Sequence, residues 1–347
     1  TISFKYGYDA VGNLIQTDEL TGTTITASTI YKYNDPRNLN TEITQTGTGL
    51  VSKQVKFGYD ATGQTAKIER YANGQIAVTT TNAYNDGYGR LTGIEQKNSA
   101  GVVIANSLYG FDNLNRLTSE TIDGVNRLIS YDKTDQVKTV TGSNSEAYTY
   151  DLNGNRTNTG YATGANNQLN SDGTYNYQYD GEGNRTKRTN IATGVVDEYV
   201  WDYRNRLTAV TTKDGTGVVT QTVGYEYDVD DQRVSKTVNG VVEKYIIDRN
   251  QIAYVTDAGG TQTFHYLYST NVDAVMAQDS PTGMVWSLTD RLGSVNLLAD
   301  AGGAVVDKRT FDSFGRVLSE SNPSVKFRYG YTGREQDQET GLDYYRA

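Results

Sequence analysis

One short frame recurs along the whole chain: an aromatic residue, an aspartate, two variable residues, then a glycine-like residue. The clearest copies are Tyr150-Asp151-Leu152-Asn153-Gly154-Asn155-Arg156 and Tyr179-Asp180-Gly181-Glu182-Gly183-Asn184-Arg185. Tyr8-Asp9-Ala10-Val11-Gly12-Asn13 and Tyr59-Asp60-Ala61-Thr62-Gly63-Gln64 keep the same frame. Phe111-Asp112 places Asn115 in the glycine position, and Tyr131-Asp132 places Asp135 there. The leading aromatics stand at 8, 33, 59, 84, 111, 131, 150, 179, 201 and 227, in steps of 19 to 29 residues. That spacing is the period of a repeated supersecondary unit, with insertions absorbed in turns.

Each position of the frame has a physical reason. Gly, Asn and Asp are the residues that best tolerate a left-handed backbone. An aspartate three residues earlier can accept hydrogen bonds from the backbone N–H groups of its own turn. A second aromatic often precedes the leading one by two residues, as at Tyr6, Phe57, Tyr148, Tyr177 and Tyr225, which puts both rings on one face of a strand. A second strand follows the turn, often opening Arg-Leu, as at Arg90-Leu91, Arg116-Leu117 and Arg206-Leu207. Asn73-Gly74, Asp123-Gly124, Asp214-Gly215 and Asn239-Gly240 then read as hairpin turns. The chain is therefore expected to be all-β, with short antiparallel strands joined into a long sheet that must curl or close.

Composition supports this reading. The 347 residues include 28 Tyr and 36 Gly but only 3 Pro, and the apolar set reaches 36% only with tyrosine counted. Tyrosine thus carries much of the burial, its hydroxyl reaching water or a partner. The net charge of −9 argues against a nucleic-acid partner, which would favour a basic face. No apolar run approaches the roughly 20 residues of a membrane-spanning helix. Residue 1 already lies in a strand-like segment, so no leader peptide is expected within these residues. With no cysteine, disulfides, thiol catalysis and thiolate metal sites are excluded.

The Tyr-Asp-x-x-Gly-Asn-Arg unit resembles the YD repeat of the RHS/YD-repeat proteins. The likeness covers residues 1–285 at the level of the repeat. Residues 286–347 resemble the start of the RHS repeat-associated core domain. They carry Asp290, Gly293, Ser294 and Val295, then Asp300 and Gly303, then Phe311, Asp312, Phe314 and Gly315. Thr332-Gly333 and the Glu339-Thr340-Gly341-Leu342 to Tyr344-Tyr345-Arg346 segment follow. The resemblance implies a spiral of antiparallel β-hairpins forming a curved or hollow shell. It also implies a C-terminal toxin or cargo domain of the same polypeptide as the enclosed partner, in a bacterial protein that is secreted, displayed or delivered by a secretion system. In many family members the core domain is an aspartyl autoprotease whose Asp-Pro-x-Gly motifs follow the Tyr-Tyr-Arg segment. No Asp-Pro-x-Gly occurs in residues 1–347, and Asp35-Pro36-Arg37-Asn38 lacks the glycine. No catalytic residue is carried over, and no cofactor is expected.

The residues singled out are accordingly structural. In the repeat they are Tyr8, Asp9, Gly12, Tyr59, Asp60, Gly63, Tyr150, Asp151, Gly154, Tyr179, Asp180 and Gly183. In the core motif they are Asp290, Gly293, Asp300, Gly303, Asp312, Phe314, Gly315, Gly333 and Gly341. Asp151-Leu152-Asn153-Gly154-Asn155 opens like a calcium loop, but the twelfth position is Ala162 rather than a bidentate Glu. His265, the single histidine, sits in an alternating strand and reads as a packed or surface residue. No carboxylate pair stands out for glycoside hydrolysis. Two other readings use the same sheet: an adhesion module contacting glycans, and a self-assembling protein that pairs with another shell chain through open edges.

Overall fold

The computed structural model describes residues 2–271 and 273–346, which form thirty-one β-strands, two single-turn 3₁₀ segments and no α-helix. Every assigned strand pairing is antiparallel, and sequence neighbours are sheet neighbours. Meander pairing follows from the connections, most of which are tight turns of a few residues that favour a hairpin return. The chain divides into two units: residues 1–127 with 264–335, and residues 128–263 with 336–347.

In the first unit, ten strands from Ile2–Tyr8 to Leu117–Ile122 form one ladder. A second ladder runs from Gln262–Tyr268 to Val317–Glu320. Their apolar faces share a core: Tyr31, Ile43, Val55 and Val78 come from the first, and Leu267, Trp286, Leu288 and Leu297 from the second. Strand alternation sends every second side chain inward, and those positions carry the β-branched and aromatic residues that suit a pleated surface.

In the second unit, ten strands from Tyr161–Thr163 to Gln251–Asp257 form another ladder. Its buried cluster is small and aromatic, built on Tyr199, Val210, Val223 and Tyr225, with Trp201, Tyr227 and Leu342 packed against it. Leu342 belongs to the C-terminal arm, residues 336–346, which lies on this ladder.

Candidate functional site

The recurring turn is one piece of local chemistry repeated. In the copy at Asp180 the Gly183 N–H bonds back to the Asp180 carbonyl at 3.3 Å, and the Asp180 N–H to the Asn184 carbonyl at 3.0 Å. The Asp180 Oδ1 accepts from the backbone N–H groups of Glu182 (3.1 Å) and Asn184 (2.8 Å). Gly183 takes φ 91°, a left-handed value that shifts the strand register between Gln178 and Tyr179. Asp9, Asp60 and Asp151 each accept the same two bonds, from residues two and four ahead. So do Asp290, Asp300 and Asp312 in the C-terminal motif. Gly12, Gly63, Gly154, Gly293, Gly303 and Gly315 all have positive φ, and Asn115, Asp135, Asn205 and Asp231 take that conformation in the same position. Asp151 is engaged by its own turn, and among the described residues no cluster of three acidic or histidine side chains is arranged for a metal ion.

Asp214-Gly215 departs from the expected two-residue turn. Asp214 opens another copy of the aspartate turn, its Oδ1 accepting from Thr216 and Val218, and Gly217 takes the left-handed position. Asn73-Gly74, Asp123-Gly124 and Asn239-Gly240 do have two successive positive φ values, the mark of a type I′ hairpin.

Adjacent repeats are tied together by side chains the frame alone did not explain. Several leading aromatics donate from their polar end to a backbone carbonyl one repeat earlier, at the start of that repeat's return strand. Tyr59 bonds to Asn40 O (2.5 Å), Tyr150 to Val137 O (2.8 Å), Tyr179 to Leu169 O (2.8 Å), and Trp201 Nε1 to Arg185 O (2.8 Å). Tyr8, in the first copy of the frame, is more than half exposed. The residue after the turn reaches forward instead. Arg90 bonds to Asp112 O, Arg206 to Asp228 O, Gln64 to Gly89 O, and Asn184 to Asn205 Oδ1. Arg90 also pairs with Asp86 of its own turn and stacks on Phe111, the next leading aromatic, at 4.9 Å; Arg206 does the same with Asp202 and Tyr227. Each arginine thus combines an ion pair with ring stacking, and the stacking adds about 0.5–1 kcal/mol each when exposed.

The core-motif glycines fall into two groups. A Cβ on Gly303 would come within 2.1 Å of the Ala77 carbonyl oxygen, one on Gly315 within 2.4 Å of the Tyr331 ring, and one on Gly333 within 2.5 Å of the Asp273 carbonyl oxygen. Gly293 and Gly341 face open space, and Phe314 is half exposed at its turn tip.

The buried ion pairs were not foreseen. In the first unit Lys53, wholly buried, pairs with Asp279 and donates to Gln45 Oε1 at 3.0 Å, while His265 Nε2 lies 3.0 Å from both carboxylate oxygens of Glu19. Desolvation lowers the Lys53 ammonium, opposed by the Asp279 charge. In the second unit the C-terminal arm is held by Asp337, which pairs with Arg233 at 2.6 Å and Lys236 at 3.4 Å; Glu339 adds a bond to Lys236 at 3.0 Å. The Arg233 guanidinium also lies against Tyr344 at 4.4 Å and Tyr225 at 5.1 Å. Burial, with the Asp337 charge beside it, pushes the Tyr225 hydroxyl far up, and burial pushes Tyr227 to about 12. Between the arm and the ladder lies a cavity of about 630 Å³, walled by Tyr179, Tyr199, Trp201 and Tyr227 and edged by turn residues Asn184 and Asn205.

Residues 102–345 match the Teneurin YD-shell family. The chain belongs to that family. As a YD-shell chain it is 30% identical over 268 residues to the tRNA nuclease WapA of Bacillus subtilis strain 168, covering 75% of this chain and 10% of that protein. It is 28% identical over 267 residues to the tRNA3(Ser)-specific nuclease WapA of Bacillus spizizenii, with the same shares. The YD-shell chain thus spans about a tenth of the length of these relatives. Among solved structures it resembles TcdB2-TccC3-Cdc42 with a TM-score of 0.68 at 18% identity, over 99% of this chain and 20% of that one. The Tc holotoxin pore of Photorhabdus luminescens gives 0.68 and 18% over 99% of this chain and 19% of that one. The likeness shows the fold: the expected RHS/YD-repeat shell architecture. No helix among the described residues is long and apolar enough to cross a membrane.

Proposed function

We propose that this chain is a wall segment of a YD-repeat shell in a secreted or delivered bacterial protein, and that the shell encloses a toxin domain of the same polypeptide. The observation that supports this most is the fold likeness to Tc toxin chains along 99% of the sequence. The repeat-to-repeat ties suit the same role. Tyrosine hydroxyls pointing backward and arginines pointing forward make each hairpin a brace for the next, as a load-spreading wall requires. Residues 1–285 would supply the repeats, and residues 286–347 the start of the closing core domain. The residues of the aspartate turns are structural in this reading, and the chain has no catalysis of its own. The tRNA nuclease activity in the relatives' names would reside in the nine tenths of those proteins that the chain does not match.

Limited proteolysis of the intact parent polypeptide tests the enclosure. A C-terminal domain that survives protease while the shell is folded, and is cut once Asp337→Ala loosens the arm, is the expected result. A domain digested as fast as its free counterpart overturns it. Incubation of residues 1–347 with tRNA tests the absence of catalysis, and cleavage by the purified chain would contradict it.

A further inference from the structure

The cavity of the second unit, about 630 Å³, has the size of a small-molecule site. Most of its charged lining is paired: Arg204 and Arg206 with Asp231, and Arg233 with Asp337. Two groups are not. The Arg185 guanidinium rests on the rings of Tyr177 (4.8 Å) and Tyr199 (5.8 Å), has no carboxylate partner among the described residues, and encloses its Nε without a hydrogen bond. Asp343, on the arm, has no ion pair among the described residues and encloses its Oδ1 without a hydrogen bond. A cation and a carboxylate thus line one cavity beyond ion-pairing reach of each other. Both residues are half-buried, but an enclosed polar atom left unsatisfied is costly, and a ligand that meets both recovers part of that cost.

The ligand's chemistry follows from the two groups and the walls. The planar guanidinium fork suits a carboxylate. Asp343 needs a hydrogen-bond donor. The rings of Tyr199 and Trp201 suit the C–H face of a ring, and the Trp201 indole is held in place by its bond to Arg185 O. A phosphate monoester would satisfy Arg185 but bring a second negative charge toward Asp343. We infer that this cavity binds an acidic sugar, a uronic-acid ring whose carboxylate engages Arg185 and whose hydroxyls donate to Asp343. The inference goes beyond the shell reading and is independent of it.

Calorimetry and saturation-transfer NMR on the purified chain test it, with a glucuronic-acid disaccharide, its methyl ester, a neutral disaccharide and inorganic phosphate. The uronate should bind saturably and at least tenfold more tightly than the ester or the neutral sugar. Arg185→Gln and Asp343→Ala should each weaken it tenfold or more. Because Arg185 also braces two rings, circular dichroism checks its fold, and Asp343→Ala, which loses no side-chain partner, carries the test if Arg185→Gln misfolds. Absence of saturable binding, equal affinity for the ester, affinity unchanged in Asp343→Ala, or tighter binding of phosphate overturns the assignment.

Discussion

The Tyr227 hydroxyl donates to the Leu207 carbonyl at 2.8 Å, so the aromatic that opens one repeat fastens the return strand of the repeat before it. The same relation recurs at Tyr59, Tyr150 and Tyr179. It explains why the position favours tyrosine over phenylalanine: the ring packs, and the hydroxyl satisfies a carbonyl that the bulged register leaves outside the ladder.

Tyr227→Phe should therefore cost about 0.5–1.5 kcal/mol, the net worth of one hydrogen bond. Tyr8→Phe, at an exposed ring with no hydroxyl partner among the described residues, should stay within about 0.5 kcal/mol. Urea unfolding of both variants checks the difference, and equal losses would refute the fastening role.

Lys53 and Asp279 present a different case. Removing one partner strands the other in the core, so Asp279→Ala should cost about 3–5 kcal/mol. Pairing it with Lys53→Met should recover most of that loss. Chemical denaturation of the single and double variants measures the coupling, and additive losses would show that the pair does not act as a unit.

Arg70 is only 4% exposed, and among the described residues its side chain makes one hydrogen bond, from Nη1 to Thr80 at 2.8 Å, with Nε unsatisfied. Desolvation pushes its guanidinium down to about 10. Arg70→Met keeps the length and removes the buried charge. It should be neutral or stabilising by about 1 kcal/mol, read as the urea midpoint; a clear loss would reveal a function for the charge in the fold.

Two kinds of carboxylate should respond oppositely to pH. Burial and the Asp337 charge raise Asp343 from its ordinary 3.8 to about 6. The folded chain then binds more protons than the unfolded chain between those values, so this group's contribution falls as pH rises through them and is a penalty at neutral pH. Asp343→Asn should melt higher than the parent at pH 7.5 and match it at pH 3. Asp60, by contrast, is lowered by the hydrogen bond from the Thr62 hydroxyl and by the backbone N–H groups of Gln64 and Thr62. Its contribution is present at neutral pH and disappears as pH falls below 3.8 through its folded value. Melting curves of Asp343→Asn and Asp60→Asn across pH 3–7.5 separate the two. An Asp343→Asn advantage that persisted at pH 3 would contradict the assignment.

Much of the fold could be read from short-range pattern. The aspartate turn is specified within five residues: the carboxylate bonds N–H groups two and four ahead, and the left-handed position selects Gly, Asn or Asp. That is why the frame survives at Asp290, Asp300 and Asp312, in the C-terminal motif. Asp214-Gly215 misleads because the dipeptide fits two turn types, and Gly217 selects the second. The candidate cavity was less legible. Arg185 and Asp343 stand far apart in sequence, and each looks like an ordinary surface charge until the arm is laid on the ladder.

By itself, then, the sequence determined the repeat, the turns, the antiparallel hairpins and the all-β class, because each rests on hydrogen bonds and backbone preferences between near neighbours. Only the tertiary structure decided which charges are buried together. Lys53 meets Asp279, Glu19 meets His265, and Arg233 meets Asp337 across separations of a hundred residues or more. Desolvation and pairing are properties of the packed interior, and no local pattern encodes which distant strand supplies the partner.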